Sequence, residues 1–521
     1  WIVAEKILET GERLPDDWPV HGTTGYDFLN CVDGLFIDPE GEEGLTRAYA
    51  EFTGEETDFE TVVRLGKRLV LDELLGSELN RLTSLFVDIC ERHRRHRDYT
   101  RYELREALCE TAVAFPVYRS YVSASRNLVG RDDEHVVVQA VENALANRTD
   151  LDPELFRFLK NLLLLRTSGP LEGELAMRFQ QLSAPAMAKG VEDTAFYRFH
   201  RLVCLNEVGG DPARFGVSVD QFHQACIQAQ DDYPLSLLAS TTHDTKRSED
   251  VRSRLALLSE IPKRWDEAVH SWAARNERYR SNGVPDRNTE FLIYQTLVGA
   301  WPIDAQRLTA YMEKAVREAK VHTTWTDQNQ SFEQALQNFI QAVMSDETFL
   351  AHLEDFVSGL ERPGRINSLA RTLIKLTAPG VPDIYQGTEL WDMSLVDPDN
   401  RRPVDFSLRR ELLDRVSALS PEGILAGMDQ GLPKLWIIRQ ALRLRRSQAE
   451  IFGAQGTYRP LTAQGTRAEH VVAFVRGERA VTVVPRLILG LEDDWGDTSL
   501  ELPDGTWHNV LTGEEIGRAH V

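Results

Sequence analysis

Cysteine is scarce in this 521-residue chain: the five residues, Cys31, Cys90, Cys109, Cys204 and Cys226, are odd in number, far apart and without a C-x-x-C pair. That spacing offers neither a disulfide framework nor a zinc site, and it suits a reducing cytoplasm, the location expected. No apolar run reaches the roughly 18 residues that span a bilayer, and no charged, apolar and small-residue signal order opens the chain. Low-complexity stretches are absent, so disorder has no compositional basis. Basic charge is in deficit, with 59 Lys plus Arg against 81 Asp plus Glu and a formal charge of −22. A field of that sign repels phosphate backbones and anionic lipid, which argues against nucleic acid and membrane partners and suits a neutral substrate. The one basic cluster, Arg92 to Arg97, falls in a helical stretch and reads as a solvated face. Phosphate-loop, H-E-x-x-H, G-x-S-x-G and EF-hand patterns are all missing, which argues against nucleotide, zinc-peptidase, serine-hydrolase and calcium-switch chemistry.

What is present describes an ordinary globular protein, 42% hydrophobic and 27% charged, long enough that a single core gives way to two or more units. Trp1 to Leu8 reads as a short buried strand ending on a carboxylate, broken by Gly11 and the run from Leu14 to Pro19. From about Glu42 to Leu175 the period is helical, with capping boxes expected at Thr57–Glu60 and Thr100–Glu103. Further strands are expected at Ala184–Lys189 and at Pro234–Ser240, the latter running into Thr241-Thr242-His243-Asp244. Helical pattern returns from about Glu249 to Gly359, and Ala378 to Gly387 gives a fourth strand-and-loop signal. Val471 to His508, rich in Val and Thr with turn signals, predicts a small antiparallel β domain.

Four apolar strands separated by helices, each ending in polar residues, are the pattern of (β/α) units whose strand ends carry a site. Four units make half of an eight-stranded barrel. The residues at those ends are Glu5, Lys189, Glu192, Asp193, His243, Asp244, Asp383 and Glu389. Two carboxylates on different strand ends, one with its pKa raised by apolar surroundings, are what glycosidic bond cleavage requires: an acid for the leaving oxygen and a nucleophile for the sugar. A single glutamate at a strand end is as compatible with a structural role.

Longer motifs narrow the field. The segment Val20-His21-Gly22-Thr23-Thr24-Gly25-Tyr26-Asp27-Phe28-Leu29-Asn30, shortly after Glu5-Lys6-Ile7-Leu8, resembles the one that follows the acid/base glutamate in maltooligosyltrehalose synthases, a family of the α-amylase superfamily. Phe115 to Arg119, Ala188 to Arg198, Thr242 to Arg252, and Val381 to Val404 with its Asp397-Pro398-Asp399-Asn400-Arg401-Arg402-Pro403 loop are similar to the same family, and together they span nearly the whole chain. The resemblance implies an α/β fold: the second half, strands 5–8, of a (β/α)8 TIM barrel with large helical insertions and a C-terminal antiparallel β domain. The expected partition is strand 5 and its loop in 1–40, a helical insertion in 41–180, strands 6 and 7 in 181–258, a second helical insertion in 259–359, strand 8 and closing helices in 360–450, and the β domain in 451–521.

By the same resemblance Glu5 is the general acid/base, Asp244 the transition-state stabiliser and His243 a sugar contact. Lys189 lines the subsites near the reducing end, or pairs with Glu192 or Asp193. Tyr118 and Arg119 help close the site, or pack the helical insertion. Lys246 and Arg247 reach substrate, or serve capping and salt bridges. The implied substrate is a malto-oligosaccharide or glycogen-type α-glucan, and neither metal nor cofactor is called for. The implied reaction converts a reducing-end α-1,4 linkage to an α,α-1,1 linkage, with hydrolysis or glucan transfer by a related enzyme, or glucan binding without catalysis, as alternatives.

One departure stands out. The superfamily's Arg-x-Asp motif, followed by His and Gly, carries the nucleophilic aspartate and precedes the Glu5 segment in the family; it has no counterpart in these residues. At the other end Ile516 to Val521 reads like a translated sequencing adapter. Both features lead to the expectation of a gene fragment cut at both ends and inactive by itself.

Overall fold

The structure, a computed structural model, describes residues 1–491 and 494–516; the last five positions of the adapter-like run lie outside the described residues. Its centre is a short parallel ladder. Ala4 pairs in parallel with Thr23, through hydrogen bonds from Ala4 N to Gly22 O (2.9 Å) and from Thr24 N to Ala4 O (3.1 Å). Leu237 N donates to Thr23 O (3.2 Å), and β1 (Leu237–Leu238) pairs in parallel with β2 (Val381–Pro382). Residues 2–4, 21–24, 236–238 and 381–383 therefore lie side by side in chain order.

The second place in that ladder is a correction to the sequence reading. Residues 184–189, expected as a strand within 181–258, are helical: α8 runs Pro170–Met187 and a π turn continues over Ala188–Glu192. Leu175, Phe179, Leu182 and Ala186 are buried along it, the spacing of one helix face, and small helix-forming alanines offer a sheet no branched side chains to pack. The ladder takes residues 21–24 instead, so the 1–40 segment holds two ladder positions and helix α1 (Tyr26–Gly34).

The first helical block is as expected, with α2 (Glu42–Thr53), α3 (Phe59–Glu73), α4 (Gly76–Arg92), α5 (Arg101–Val113), α6 (Arg131–Asn147) and α7 (Pro153–Leu163) before α8. Thr100 and Glu103 form the reciprocal capping box at α5. At α3 the cap is Asp58, which accepts from Thr61 N, one residue on from the expected Thr57; the carboxylate beside it is the better acceptor for a helix N-terminus. After α9 (Val219–Asp232) and β1 come α10 (Glu249–Ala256), α11 (Pro262–Asn276), α12 (Arg287–Ala300), α13 (Ala305–Ala319), α14 (Gln330–Val343) and the long α15 (Glu347–Thr377), which passes through the expected boundary at 359 to deliver β2.

Downstream, α16 (Phe406–Val416), α17 (Pro421–Ala426) and α18 (Leu432–Ser447) lead into the β domain, where β3 (Tyr458–Leu461), β5 (Val471–Arg476) and β6 (Ala480–Pro485) form an antiparallel sheet in the order β3-β5-β6. Here β4 is Ala463–Gln464, which pairs with β7 (Ser499–Leu500), and β8 (Trp507–His508) pairs with β9 (Glu515–Ile516). Among the described residues no helix is long and apolar enough to cross a membrane.

The main core joins α2, α11, α12 and α15 around the fully buried Trp265. Under the ladder it turns polar. Arg252 pairs with Asp33 (2.7 Å) and Glu207 (2.9 Å), and Lys434 with Glu249 (2.7 Å) and Asp250 (2.9 Å), all buried. Charges so desolvated persist only when fully paired, so this layer fixes α10 to α1 and α18.

Candidate active site

The ladder presents two loops at the same end. Glu5 directly follows Ala4, the last residue of its ladder position, and Thr242-His243-Asp244 follow β1. Both carboxylates are exposed at the surface. Beside this end is the buried Tyr26, at the start of α1, whose hydroxyl lies 3.0 Å from Thr242 Oγ1. Burial pushes the Tyr26 hydroxyl well above its ordinary pKa, and the charges of Asp244, Glu207 and Glu5 raise it further. Two carboxylates 239 positions apart in the sequence thus act on one phenol.

The turn carrying Asp244 is tightly bonded. Asp244 N donates to Thr242 Oγ1 (3.1 Å) and Thr245 Oγ1 donates to Thr242 O (3.0 Å). The ring of His243 is exposed, and its carbonyl accepts from Asn400 Nδ2 (3.1 Å).

Beside this turn lies a second acidic group. Tyr118 Oη donates to the buried carboxyl of Glu192. Burial lifts that carboxyl to about 8; Lys246 opposes the rise, and Asp244, Asp193 and Glu207 add to it. Lys246 Nζ, 3.8 Å from Glu192 and 3.4 Å from Asp193, is itself buried, and the acidic groups around it keep the ammonium charged against the cost of desolvation. Lys189, whose side chain is 57% exposed, pairs with Asp193 at 2.6 Å.

The loop after Glu5 is tied to the helical insertion. Trp18 meets Tyr121 edge to face with ring centroids 4.9 Å apart, and the Arg119 guanidinium lies 5.0 Å from the same ring. Lys6 pairs with Glu12 at 2.6 Å. Tyr118, through Glu192, and Tyr121, through Trp18, therefore join the insertion to the site from one side, while Arg119 lies over Tyr121 within the insertion. Arg247 is turned inward instead: its guanidinium donates to Val203 O (3.1 Å) and Tyr311 Oη (2.8 Å) and is 4% exposed. Of the two roles expected of it, reaching substrate or capping and bridging, these contacts fit the second.

A cavity of about 410 Å³ lies behind the loop of residues 8–14, lined by Glu9, Asp27, Asn30 and Asp232 among others, and neither Glu5 nor Asp244 belongs to its lining. Sequence reasoning missed Tyr26, Thr242 and Asn400 as site residues, although each sits inside a motif it had singled out. Glu207 lay in no motif at all.

The sequence matches no protein-family model. It is 38% identical over 528 aligned residues to a Mycobacterium tuberculosis protein carrying the name maltooligosyl trehalose synthase, covering 98% of this chain and 62% of that one. The solved maltooligosyltrehalose synthase of Arthrobacter ramosus is 39% identical with a TM-score of 0.87, over 99% of this chain and 63% of that chain. A hypothetical maltooligosyl trehalose synthase of Sulfolobus tokodaii is 31% identical with a TM-score of 0.78, again over 99% and 63%. The chain spans about three-fifths of the length of the curated relatives it matches. Over that shared stretch, this chain is similar in sequence and in backbone to the maltooligosyltrehalose synthases.

Proposed function

We propose that these residues, as part of a protein of the relatives' length, rearrange the reducing-end α-1,4 linkage of malto-oligosaccharides or a glycogen-type α-glucan into an α,α-1,1 linkage. The observation that carries this reading is the placement of Glu5 and Asp244 after the first and third ladder positions, at the same end of the ladder, with the Tyr26 hydroxyl within reach of the charge of both. The four ladder positions read best as strands 5–8 of a barrel, with residues 21–24 as strand 6, and the site at their C-terminal ends follows the rule for that fold. The five thiols, all free and four of them buried, suit a cytoplasmic protein.

The resemblance puts the nucleophilic aspartate in a motif these residues lack, so the proposal assigns them the acid/base and stabilising halves of the chemistry. Protonated Glu5 donates to the leaving oxygen as the glycosyl-enzyme forms. Asp244, with His243 beside it, binds the sugar more tightly as the ring flattens toward an oxocarbenium ion. The released glucose turns, and its anomeric hydroxyl attacks while Glu5 accepts the proton. Water in place of glucose gives hydrolysis, so selectivity rests on enclosure; the insertion carrying Tyr118 and Arg119 lies on that flank, with Lys189 and Lys246 holding Glu192 and Asp193 just beyond it.

The test is chromatography of maltopentaose products from the family-length protein and its Glu5→Gln variant. A non-reducing, trehalose-ended pentasaccharide is expected from the parent, and a roughly 10²–10⁴-fold loss of turnover from the variant with binding retained. Glucose and maltotetraose as the only products would assign a hydrolase, binding without turnover a glucan-binding protein, and a variant within about tenfold of the parent would remove Glu5 from the chemistry.

A further inference from the structure

We infer that Glu207 is a positioning residue whose buried carboxylate fixes, from beneath, the turn that presents His243 and Asp244. The inference rests on the assignment of Asp244 above and extends it to a residue that touches no sugar.

Glu207 is 1% exposed, and both of its carboxylate oxygens are used. Lys246 N donates to Oε1 (2.8 Å) and Oε2 (3.0 Å), Arg247 N to Oε2 (3.3 Å), Arg252 Nη1 to Oε2 (2.9 Å), and its neighbour Val208 N to Oε1 (2.9 Å). A carboxylate has about four acceptor sites, so this one is saturated. Two of its donors are main-chain groups two and three residues beyond Asp244. A tight turn leaves such N–H groups without a ladder partner, and a buried carboxylate without donors is costly; each satisfies the other.

The anchor is itself rigid. Arg252 balances its charge and holds Asp33 at 2.7 Å, and the preceding Asn206 Nδ2 donates to Phe196 O (2.9 Å) and Phe199 O (2.7 Å). From the opposite side Asn400 Nδ2 donates to His243 O (3.1 Å) and Thr242 O (3.4 Å). The main chain of the turn is thus held on both flanks while the Asp244 side chain stays exposed to substrate. Reacting groups must be held within a fraction of an ångström, and a displacement of about 1 Å costs roughly 10²-fold in rate.

Glu207→Gln keeps the shape but faces backbone donors with an NH2 group, so it releases the turn. In the family-length protein, the amide hydrogens of Lys246 and Arg247 are expected to exchange at least about tenfold faster with solvent, and kcat to fall roughly 10²-fold with KM changed by less than about fivefold. Glu333→Gln, which breaks the Arg317 and Thr323 contacts on α14, controls for lost stability and should retain the parent kcat when assayed below its melting temperature. Asn400→Ala, which frees the turn from its other flank, should lower kcat in the same sense and covers the case in which Glu207→Gln does not fold. Unchanged exchange at Lys246 and Arg247 would overturn the inference, as would parental kcat in either turn variant, or an equal loss in Glu333→Gln. Faster exchange in Glu207→Gln, with no trehalose-ended product even from the parent, would leave the hold on the turn standing and remove the proposed function.

Discussion

Glu192 should make the stability of this protein fall as pH rises through neutrality. Its carboxyl sits 3.8 Å from Lys246 and accepts from Tyr118, and burial, the largest influence, lifts it from 4.5 to about 8. In the unfolded chain the same group releases its proton near 4.5. Between those values the native state binds more protons than the unfolded state, so the slope of stability with pH is negative: the contribution is complete below about 4.5 and lost as pH rises through about 8. The displacement from 4.5 to about 8, at about 1.4 kcal/mol per pKa unit, amounts to about 5 kcal/mol across the window. Glu9, lifted to about 8, and Glu260, lifted to about 7, both chiefly by burial, slope the same way. Lys67, depressed to about 8 chiefly by burial, slopes oppositely above that pH. The measurement is therefore a difference. Glu192→Gln cannot titrate, and its melting temperature compared with the parent from pH 5 to pH 9 should show the parent losing ground steadily to about pH 8 and levelling there. Carboxyl ¹³C spectra of the two proteins should differ by one resonance titrating near 8. Parallel melting curves, or a difference resonance titrating near 4.5, would refute the buried, protonated carboxyl.

Lys434→Met removes the buried cation paired with Asp250 and one of those paired with Glu249, which keeps Lys375 at 3.5 Å, and should cost about 3–5 kcal/mol, read as a lower melting temperature; a shift near zero would mean the pair is not desolvated. Gly25 has φ +93°, and a Cβ there would meet Leu237 O at 2.5 Å and Ala239 N at 2.6 Å, so Gly25→Ala should destabilise by about 1–3 kcal/mol and reduce turnover by displacing the strand that leads to Asp244. Unaltered melting and turnover would show that α1 does not approach β1 so closely. Thr100→Ala removes the capping box of α5 and should cost about 1 kcal/mol with turnover unchanged; a loss of activity would tie that helix to the site in a way its position does not suggest.

The sequence by itself determined what local chemistry and chain pattern can determine. Periodicity predicted the helical block from Glu42 to Leu175, the Thr100 capping box follows from side-chain reach across one turn, and richness in Val and Thr with turn signals marked the β domain that contains β5 and β6. The segments that resemble maltooligosyltrehalose synthases pointed before any coordinates to the proteins this chain is similar to, because long motifs at fixed spacing are specific where a single glutamate is not. Tertiary structure alone decided the rest. Residues 184–189 carry an apolar run that suits a buried helix as well as a strand; packing against α3 and α4 makes them helical, and the ladder takes His21 to Thr24, too short and too rich in glycine and threonine to announce a strand. Whether Arg247 faces sugar or protein depended on Tyr311, 64 positions away, and whether Glu192 keeps its proton depended on Tyr118, Lys246 and Asp244 meeting around it. Glu207 left no mark in the sequence, since a carboxylate that binds backbone N–H groups makes no demand on the side chains it holds. Hydrogen bonds and desolvation act through space, and only the folded chain brings their partners within 3 Å.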